Sequence, residues 1–352
     1  AIEPNLVTVD SLGELRTVET SAIESGSGGG MSAMFSESAA WQEMINNPEF
    51  MKTQYDVLAG KFPESKENAE YEELAIIVDS KNRISNTVLD KLGITLASEK
   101  YDFSSFIGDE KNDFAGAIEY VLLSNDNYFK KVGDKYETKT AEELKAAYEN
   151  PTEKDIKLKI VGVLRVSPDA PAPIYSTGLL YTQGLTQKII KQNADTQLVK
   201  DQQAEIQIGF RGKFLMPEAE EKSNKTFAEL VSVPLSQNSQ NESGAGAQII
   251  AAMLMQEDYK AAIKKLFDFL PDSGDLTQEE KDKNVNDFIR VCETFLYHEQ
   301  MNALNICAGT EIPVGISFYP KSFETKDKLV AYLNAYNSAL SAENQHKVIR
   351  FT

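Results

Sequence analysis

The sequence is poor in the residues that most often carry metal or redox chemistry. Its 352 residues include two histidines, His298 and His346, and two cysteines, Cys292 and Cys307. So few cysteines argue against the disulfide scaffold of a small secreted protein. A single helix through both cysteines would hold them roughly 22 Å apart, whereas a disulfide requires Cα atoms within about 7 Å. We therefore expect two buried free thiols, and a bond between them would require a chain reversal.

The sequence also has little basic charge and no long hydrophobic run. It contains 36 Lys and Arg against 54 Asp and Glu, which gives a net charge of −18. This balance repels phosphate backbones and anionic membrane surfaces, so we expect no nucleic-acid partner. The longest dense apolar run, residues 249–255, is far shorter than the ~20 residues of a membrane-spanning helix. Length and composition predict an ordinary globular protein with two or more subdomains.

Several motifs begin to match a chemical site and then fail. His298 and Glu299 open a zinc-protease pattern, but Asn302 stands where the second histidine is needed. The glycine-rich residues 26–30 lack the Lys and Ser/Thr of a phosphate loop, so we expect a flexible linker there. Residues 272–280 lack the ligand spacing of a calcium loop.

Hydrolytic and acid–base sites are not predicted either. There is no Gly-x-Ser-x-Gly elbow, and carboxylate pairs such as Glu72 and Glu73 are common in so acidic a chain. We therefore predict no catalytic, cofactor-binding or metal-binding residue and no cofactor. The residues that bind a partner are left unassigned.

The first part of the chain is dominated by strand patterns. Residues 73–79 form an apolar run that suits a buried strand. Ser85 is a good cap for the short helix that follows, and Gly93 is a good terminator. In residues 156–166 and 205–214 apolar and polar side chains alternate, which predicts antiparallel strands with one buried face.

Helices and polar loops are predicted around these strands. We expect Ser38 to cap a short helix that contains Trp41 and that Pro48 ends. Residues 24–38 and 236–247 are rich in small polar residues and are expected to be loops.

The last third of the chain has helical spacing of its apolar residues. Residues 248–270 form one such helix, and a capping box at Thr277 begins a longer one. We expect these two helices to pack as an antiparallel hairpin. After them, a strand that contains Val314, Ile316 and Phe318 stops at Tyr319 and Pro320 and passes almost directly into an amphipathic helix. Leu329, Leu333, Tyr336 and Leu340 lie on one face of this helix.

Four stretches of the sequence together resemble a known family. They are residues 54–65, 73–94, 158–190 and 315–337. In this order they resemble the large extracellular domain of FtsX/MacB-type ABC transporter permeases from Gram-positive bacteria. The resemblance departs from the pattern at Val166, where a proline is expected after Arg165. It also does not extend over residues 217–305.

The resemblance implies an α+β fold with a particular domain division. Residues 1–70 and 308–352, from the two ends of the chain, would form a porter-like α/β subdomain. Residues 71–216 would form an inserted strand-rich subdomain of the type called Sabre in the MacB proteins. Residues 217–307, over most of which the resemblance does not extend, are expected from their own helical spacing to add a helical insertion that includes the helical hairpin.

The resemblance also implies a mechanical function and no enzymatic activity. The resembling proteins are dimers in which cytoplasmic ATP hydrolysis moves the membrane helices and, with them, the extracellular domains. The expected partners are a second permease copy, a cytoplasmic ATP-binding subunit, and a membrane-fusion-type protein or a cell-wall hydrolase. The start at Ala1 suggests a domain excised between transmembrane helices 1 and 2, on the extracellular face of the cell membrane.

Three functions remain open at this point. The first is a domain that contacts exported cargo, such as peptides, or a partner protein. The second is a permease-like regulator that activates a cell-wall hydrolase or senses antimicrobial peptides. The third is a secreted acidic enzyme.

Overall fold

The computed structural model describes most of the chain. The described residues are 4–10, 12–19, 40–67, 69–95, 102, 106–107, 118–170, 173–224, 227, 243–268, 277–310, 318, 322–340 and 349. They fall into a larger unit, Ala1–Glu311, and a smaller one, Ile312–Thr352. Helices and strands are mixed along the larger unit, so the predicted α+β class is confirmed.

The larger unit is built on a curled mixed sheet. Its strands are β1 (Leu6–Val9), β2 (Leu15–Thr17), β3 (Trp41–Glu43), β4 (Tyr55–Gly60), β5 (Glu72–Val78), β6 (Glu119–Leu122), β9 (Ile156–Val166) and β10 (Gly178–Tyr181). They follow the order β2-β1-β6-β9-β5-β10-β3, and β4 pairs with β9 outside this path. Strands β7 (Phe129–Val132) and β8 (Lys135–Thr138) form a separate antiparallel hairpin.

The long strand β9 organises the sheet. It pairs with β6 through residues 156–159, then with β4 through residues 162–166, and with β5 along most of its length. The strand itself was predicted. Its environment was not, because it is parallel to β5 and its centre is buried on both faces. The alternation of apolar and polar residues in β9 reflects only its two ends, where the strand is partly exposed.

The centre of the core is β5, in which all seven residues are buried. Leu74, Ile76 and Val78 face one hydrophobic cluster, and Ala75 and Ile77 face another on the opposite side of the sheet. A strand covered on both faces needs a continuous apolar run, and the sequence has one here. This prediction is confirmed.

Helices cover the sheet and extend beyond it. In the larger unit they are α1 (Pro48–Gln54), α2 (Asn86–Lys91), α3 (Asn125–Tyr128), α4 (Ala141–Glu149), α5 (Gln183–Asn193), α6 (Gln197–Gln207), α7 (Ser243–Leu254), α8 (Tyr259–Asp268) and α9 (Gln278–Ile306). Residues 217–224 are helical as well. Strands β4 and β5, on either side of residue 70, both pair with β9 in the same sheet.

Local capping signals in the sequence were accurate. The Ser85 hydroxyl accepts a hydrogen bond from the backbone N–H of Val88, and Gly93 follows α2 with φ +70°. Thr277 and Glu280 form the predicted capping box of α9. Each cap satisfies backbone groups that the first or last turn of a helix leaves without partners.

Helices α8 and α9 pack in opposite directions, as the predicted hairpin requires. The Tyr259 hydroxyl, at the start of α8, bonds Glu293 in the middle of α9. Lys264, later in α8, pairs with Asp282 near the start of α9.

The helix predicted around Trp41 is wrong. Trp41 begins β3, which pairs in parallel with β10, and its ring stacks on Tyr181 at 4.4 Å between centroids. Pro48 begins α1 rather than ending a helix, and the Asn47 side chain caps it. Proline has no N–H to lose at a first helical position, so it fits there as well as after a helix. Ser38 and residues 24–38 lie outside the described residues.

The strand predicted at residues 205–214 is also wrong. Its first residues complete α6, in which Leu198, Val199 and Gln202 are buried. The rest forms turns around Gly209 and Gly212. The helix α6 begins at Gln197, eight residues before the alternating stretch. The packing of its buried face outweighs the short alternating pattern.

The single helix predicted at residues 248–270 is two helices. Helix α7 ends at Leu254 and α8 begins at Tyr259, with a turn between them. The polar loop predicted at residues 236–247 is partly helical, because α7 begins at Ser243. Residues 236–242 and 269–270 lie outside the described residues.

The smaller unit contains the predicted amphipathic helix, α10 (Phe323–Ala339). Ser322 caps it through the backbone N–H of Thr325. Of the predicted apolar face Leu333 is buried and Tyr336 is exposed. The strand predicted at residues 314–318 lies outside the described residues, apart from Phe318.

Candidate functional site

A group of five charged side chains lies at the start of β5. Glu72 and Glu73 are both buried there, and successive strand residues point to opposite faces of a sheet. Lys61 and Lys66 bind the Glu73 carboxylate at 2.8 and 3.1 Å, and Lys188 from α5 binds Glu72. We call these five residues the lysine–glutamate cluster.

The cluster fixes the segment of residues 61–66, which we call the strap. The carboxylate of Glu73 accepts a hydrogen bond of 2.9 Å from the backbone N–H of Glu64. Lys188 donates a 2.7 Å hydrogen bond to the carbonyl oxygen of Lys66. Both buried carboxylates therefore serve the strap, one directly and one through Lys188.

Two glycines allow the strap to lie close to the sheet and to α5. A Cβ added at Gly162 of β9 would overlap the carbonyl oxygen of Lys61. A Cβ added at Gly184 of α5 would overlap the hydroxyl of Ser65. A larger residue at either position would push the strap away. The two glycines therefore determine how closely the strap approaches β9 and α5.

The electrostatics of two cluster members, Glu73 and Lys66, favour their charged forms. Burial raises the pKa of the Glu73 carboxyl, but hydrogen bonds from Lys61, the Glu64 backbone and Lys66 outweigh it, so the pKa lies below its usual range. The hydrogen bond to Glu73 raises the pKa of Lys66. Groups that stay ionised across neutral pH are poor proton-transfer catalysts. Glu73 and Lys66 are therefore suited to holding the strap rather than to acid–base chemistry.

The cysteines lie where the sequence predicts. Cys292 and Cys307 are both buried and free. Burial raises the pKa of each thiol to about 12. Since the thiolate is the reactive form, neither cysteine is an effective nucleophile at neutral pH.

His298, which opens the incomplete zinc-protease pattern, is exposed on the surface of α9, as is Asn302 one turn later. Within the described ranges no three His, Cys, Asp or Glu side chains are grouped so that they could hold a metal ion. His346 lies outside those ranges.

The helical layer, which comprises α7, α8 and α9, exposes several large apolar side chains. They are Ile249, Met255, Val291 and Tyr297, each roughly half exposed at 51, 49, 48 and 45%. In the smaller unit Phe323 and Tyr332 are more exposed, at 86 and 69%. Such residues are available for contacts with a partner, although singly scattered ones are normal on protein surfaces.

Sequence reasoning missed the cluster. The sequence shows Glu72 and Glu73 as a carboxylate pair, but no local pattern places lysines from two separate parts of the chain, the strap and α5, beside them. One signal in the sequence points to the cluster. Glu72 and Glu73 adjoin the apolar run of β5, and carboxylates that are buried with such a strand need charged or hydrogen-bonding partners.

Comparison with models of known protein families, with curated proteins and with solved structures finds no match to this chain. In the part of the chain that the structure describes, no helix combines the length and the apolar character needed to cross a membrane.

Proposed function

We propose that this chain is a non-catalytic extracellular domain of an FtsX/MacB-type ABC transporter permease. In this role it contacts exported cargo or a partner protein and is moved by ATP hydrolysis in a cytoplasmic subunit. The porter-like, Sabre-like and helical divisions given above are part of the same proposal.

The observation that carries the proposal is the arrangement of three of the four resembling stretches. Residues 54–65 contain β4 and all of the strap except Lys66, residues 73–94 contain most of β5 and all of α2, and residues 158–190 contain most of β9 and all of β10. These strands are direct neighbours, because β9 pairs with both β4 and β5, and β5 pairs with β10. Motifs that are far apart in sequence thus form one continuous part of the core.

The lysine–glutamate cluster supports the same proposal. Its charges hold the strap, most of which belongs to the first resembling stretch, to Glu73 of β5 in the second and to Lys188 of α5 in the third. A domain that transmits movement needs such fixed contacts between distant segments. The half-exposed apolar residues of the helical layer are candidates for the cargo or partner contact.

Cysteine labelling in intact cells tests the proposed location. Asn284 is exposed on α9, whereas both native cysteines are buried. We expect the gene product with Asn284→Cys to react with a membrane-impermeant maleimide on intact cells. The unaltered protein is the matched control and should remain unlabelled. Labelling that requires permeabilised cells would overturn the extracellular placement.

Purification of the gene product from detergent-solubilised membranes tests the proposed partners. We expect it to copurify with an ATP-binding subunit. Recovery of a cell-wall hydrolase in the same complex would favour regulation over export. Recovery of the protein entirely in a soluble fraction, without such a subunit, would contradict the permease proposal.

A further inference from the structure

Helix α9 carries one buried stripe that serves two separate hydrophobic clusters. Its buried residues are Val285, Ile289, Cys292, Leu296, Gln300, Ala303 and Leu304. The first four pack with Ile250, Leu254 and Ile263 of α7 and α8 in the helical-layer cluster. The last two, with Cys307, pack with Leu198, Val199, Leu215 and Met216 in the junction cluster.

Gln300 is the polar residue of this stripe, and it falls between the two clusters. It is fully buried, as is its neighbour Gln202 on α6. The Gln202 amide donates to the Gln300 side-chain oxygen at 2.9 Å. Burying two amide side chains costs free energy unless their polar groups find hydrogen-bond partners. The surroundings of this pair must therefore supply those partners.

The two amides find their remaining partners in the turn of residues 208–215. The Gln300 amide donates to the Gly212 carbonyl oxygen, and the Gln202 amide donates to the Lys213 carbonyl oxygen at 3.0 Å. The Gln202 oxygen accepts from the backbone N–H of Leu215, also at 3.0 Å. Two side chains therefore join α6, α9 and the turn through four hydrogen bonds.

The junction cluster is in turn tied to the sheet. The carbonyl oxygen of Cys307, just after α9, accepts a 2.7 Å hydrogen bond from the buried Asn125 side chain. The Asn125 oxygen accepts a 2.9 Å hydrogen bond from Asn5, which directly precedes β1. A continuous chain of contacts thus runs from the helical layer to the edge region of the sheet.

We propose that Gln202, Gln300 and the backbone of residues 212–215 form an amide latch that fixes the helical layer rigidly to the sheet. A continuous apolar stripe could slide along its partners, since hydrophobic contacts are not directional. Four directed hydrogen bonds allow one register, which is the best-attested role of buried polar pairs. The use of this rigidity to transmit movement during transport rests on the proposed function, but the latch itself does not.

Hydrogen exchange on the unaltered protein gives the first test. The latch predicts that the Leu215 amide, although it lies in a turn, exchanges as slowly as amides in the middle of α9. Rapid exchange of Leu215, as in an open surface turn, would overturn the proposal without any variant.

The variant Gln300→Leu gives the second test, because it fills the same space and removes two of the four bonds. We expect exchange in residues 208–216 to rise about ten- to hundredfold, while exchange in β5 stays unchanged. Gln278→Leu, on the exposed start of the same helix, is the matched control and should change neither region. Unchanged protection of residues 208–216 in a folded Gln300→Leu protein would contradict the latch.

Spin labels test the rigidity directly. One label replaces Asn284 on α9 and the other replaces Leu12, which is 78% exposed between β1 and β2. We expect one narrow distance distribution in the otherwise unaltered chain and a broader one with Gln300→Leu. A broad distribution before the latch is altered would contradict the inference. These measurements use the chain in solution, so their outcome is independent of whether the permease proposal holds.

Discussion

The sheet and the helical layer bury their apolar residues in different ways. In the sheet, β5 is covered on both faces, and its seven residues are all buried. In the helical layer, α9 is 29 residues long and buries a single stripe of seven. The sheet therefore depends on long-range packing from every direction, whereas the helical layer depends on one seam and on local caps. Substitutions should separate these two modes of stabilisation.

The largest expected effect is a cavity in the sheet. Ile76→Ala removes a fully buried side chain from a strand that cannot collapse from either face. We expect it to lower the free energy of unfolding by about 4 kcal/mol. Ile289→Ala is the matched change in the helical layer, where the partly exposed surroundings can relax, and should cost about 2 kcal/mol. Denaturant unfolding of both variants measures the difference. Equal losses of unfolding free energy would contradict the contrast between the sheet and the helical layer.

A smaller effect is expected from the lysine–glutamate cluster. Removing one partner of a buried pair is costly, but Lys61 and Lys66 are about half exposed and can return to water. We therefore expect Glu73→Gln to lower the free energy of unfolding by about 1–2 kcal/mol at neutral pH. Glu64→Gln, whose side chain is mostly exposed, is the control and should cost little.

The pH dependence of this effect has a definite sign. The pKa of folded Glu73 lies below its usual range, and that of the unfolded chain is about 4.3. The carboxylate therefore stabilises the fold above the unfolded pKa, and this contribution disappears as pH falls through the lower folded pKa. Thermal unfolding from pH 7 to pH 3 should converge for Glu73→Gln and the unaltered protein. A constant gap would show that Glu73 acts by packing alone.

The smallest expected effect is local to the helical layer. Thr277→Ala removes the side-chain cap of α9 and should cost about 1 kcal/mol. The loss should appear as faster exchange in the first turn of α9, because the orphan N–H groups there lose their acceptor. Thr294→Ala, on the exposed side of the same helix, is the control and should leave that turn unchanged. Equal effects of the two variants would contradict a special role for the cap.

The sequence predicted those elements whose signals are local. The apolar run of β5, the Ser85 cap of α2, the alternation in β9 and the capping box of α9 each involve neighbours within a few residues. The strand predicted at residues 205–214 and the helix predicted at Trp41 were wrong, because partners far away in sequence decided them. Trp41 extends a sheet through β10, and Gln202 completes a helix against α9.

The sequence shows the charged residues of the candidate site but does not show that they lie together. Two glutamates before an apolar strand, and lysines in the following and preceding segments, are visible in the sequence. Their meeting point depends on strand pairing, because β9 and α5 bring Gly162, Gly184 and Lys188 to the strap.

By itself the sequence determined the charge, the buried thiols and the elements with strong local caps. These follow from composition and from interactions that a single turn or strand can make alone. Tertiary structure decided the parallel pairing of β5 with β9, the burial of Glu72 and Glu73, and the meeting of Gln202 with Gln300 across 98 residues. The physical reason is that a buried polar group must find its partners wherever the packed chain supplies them.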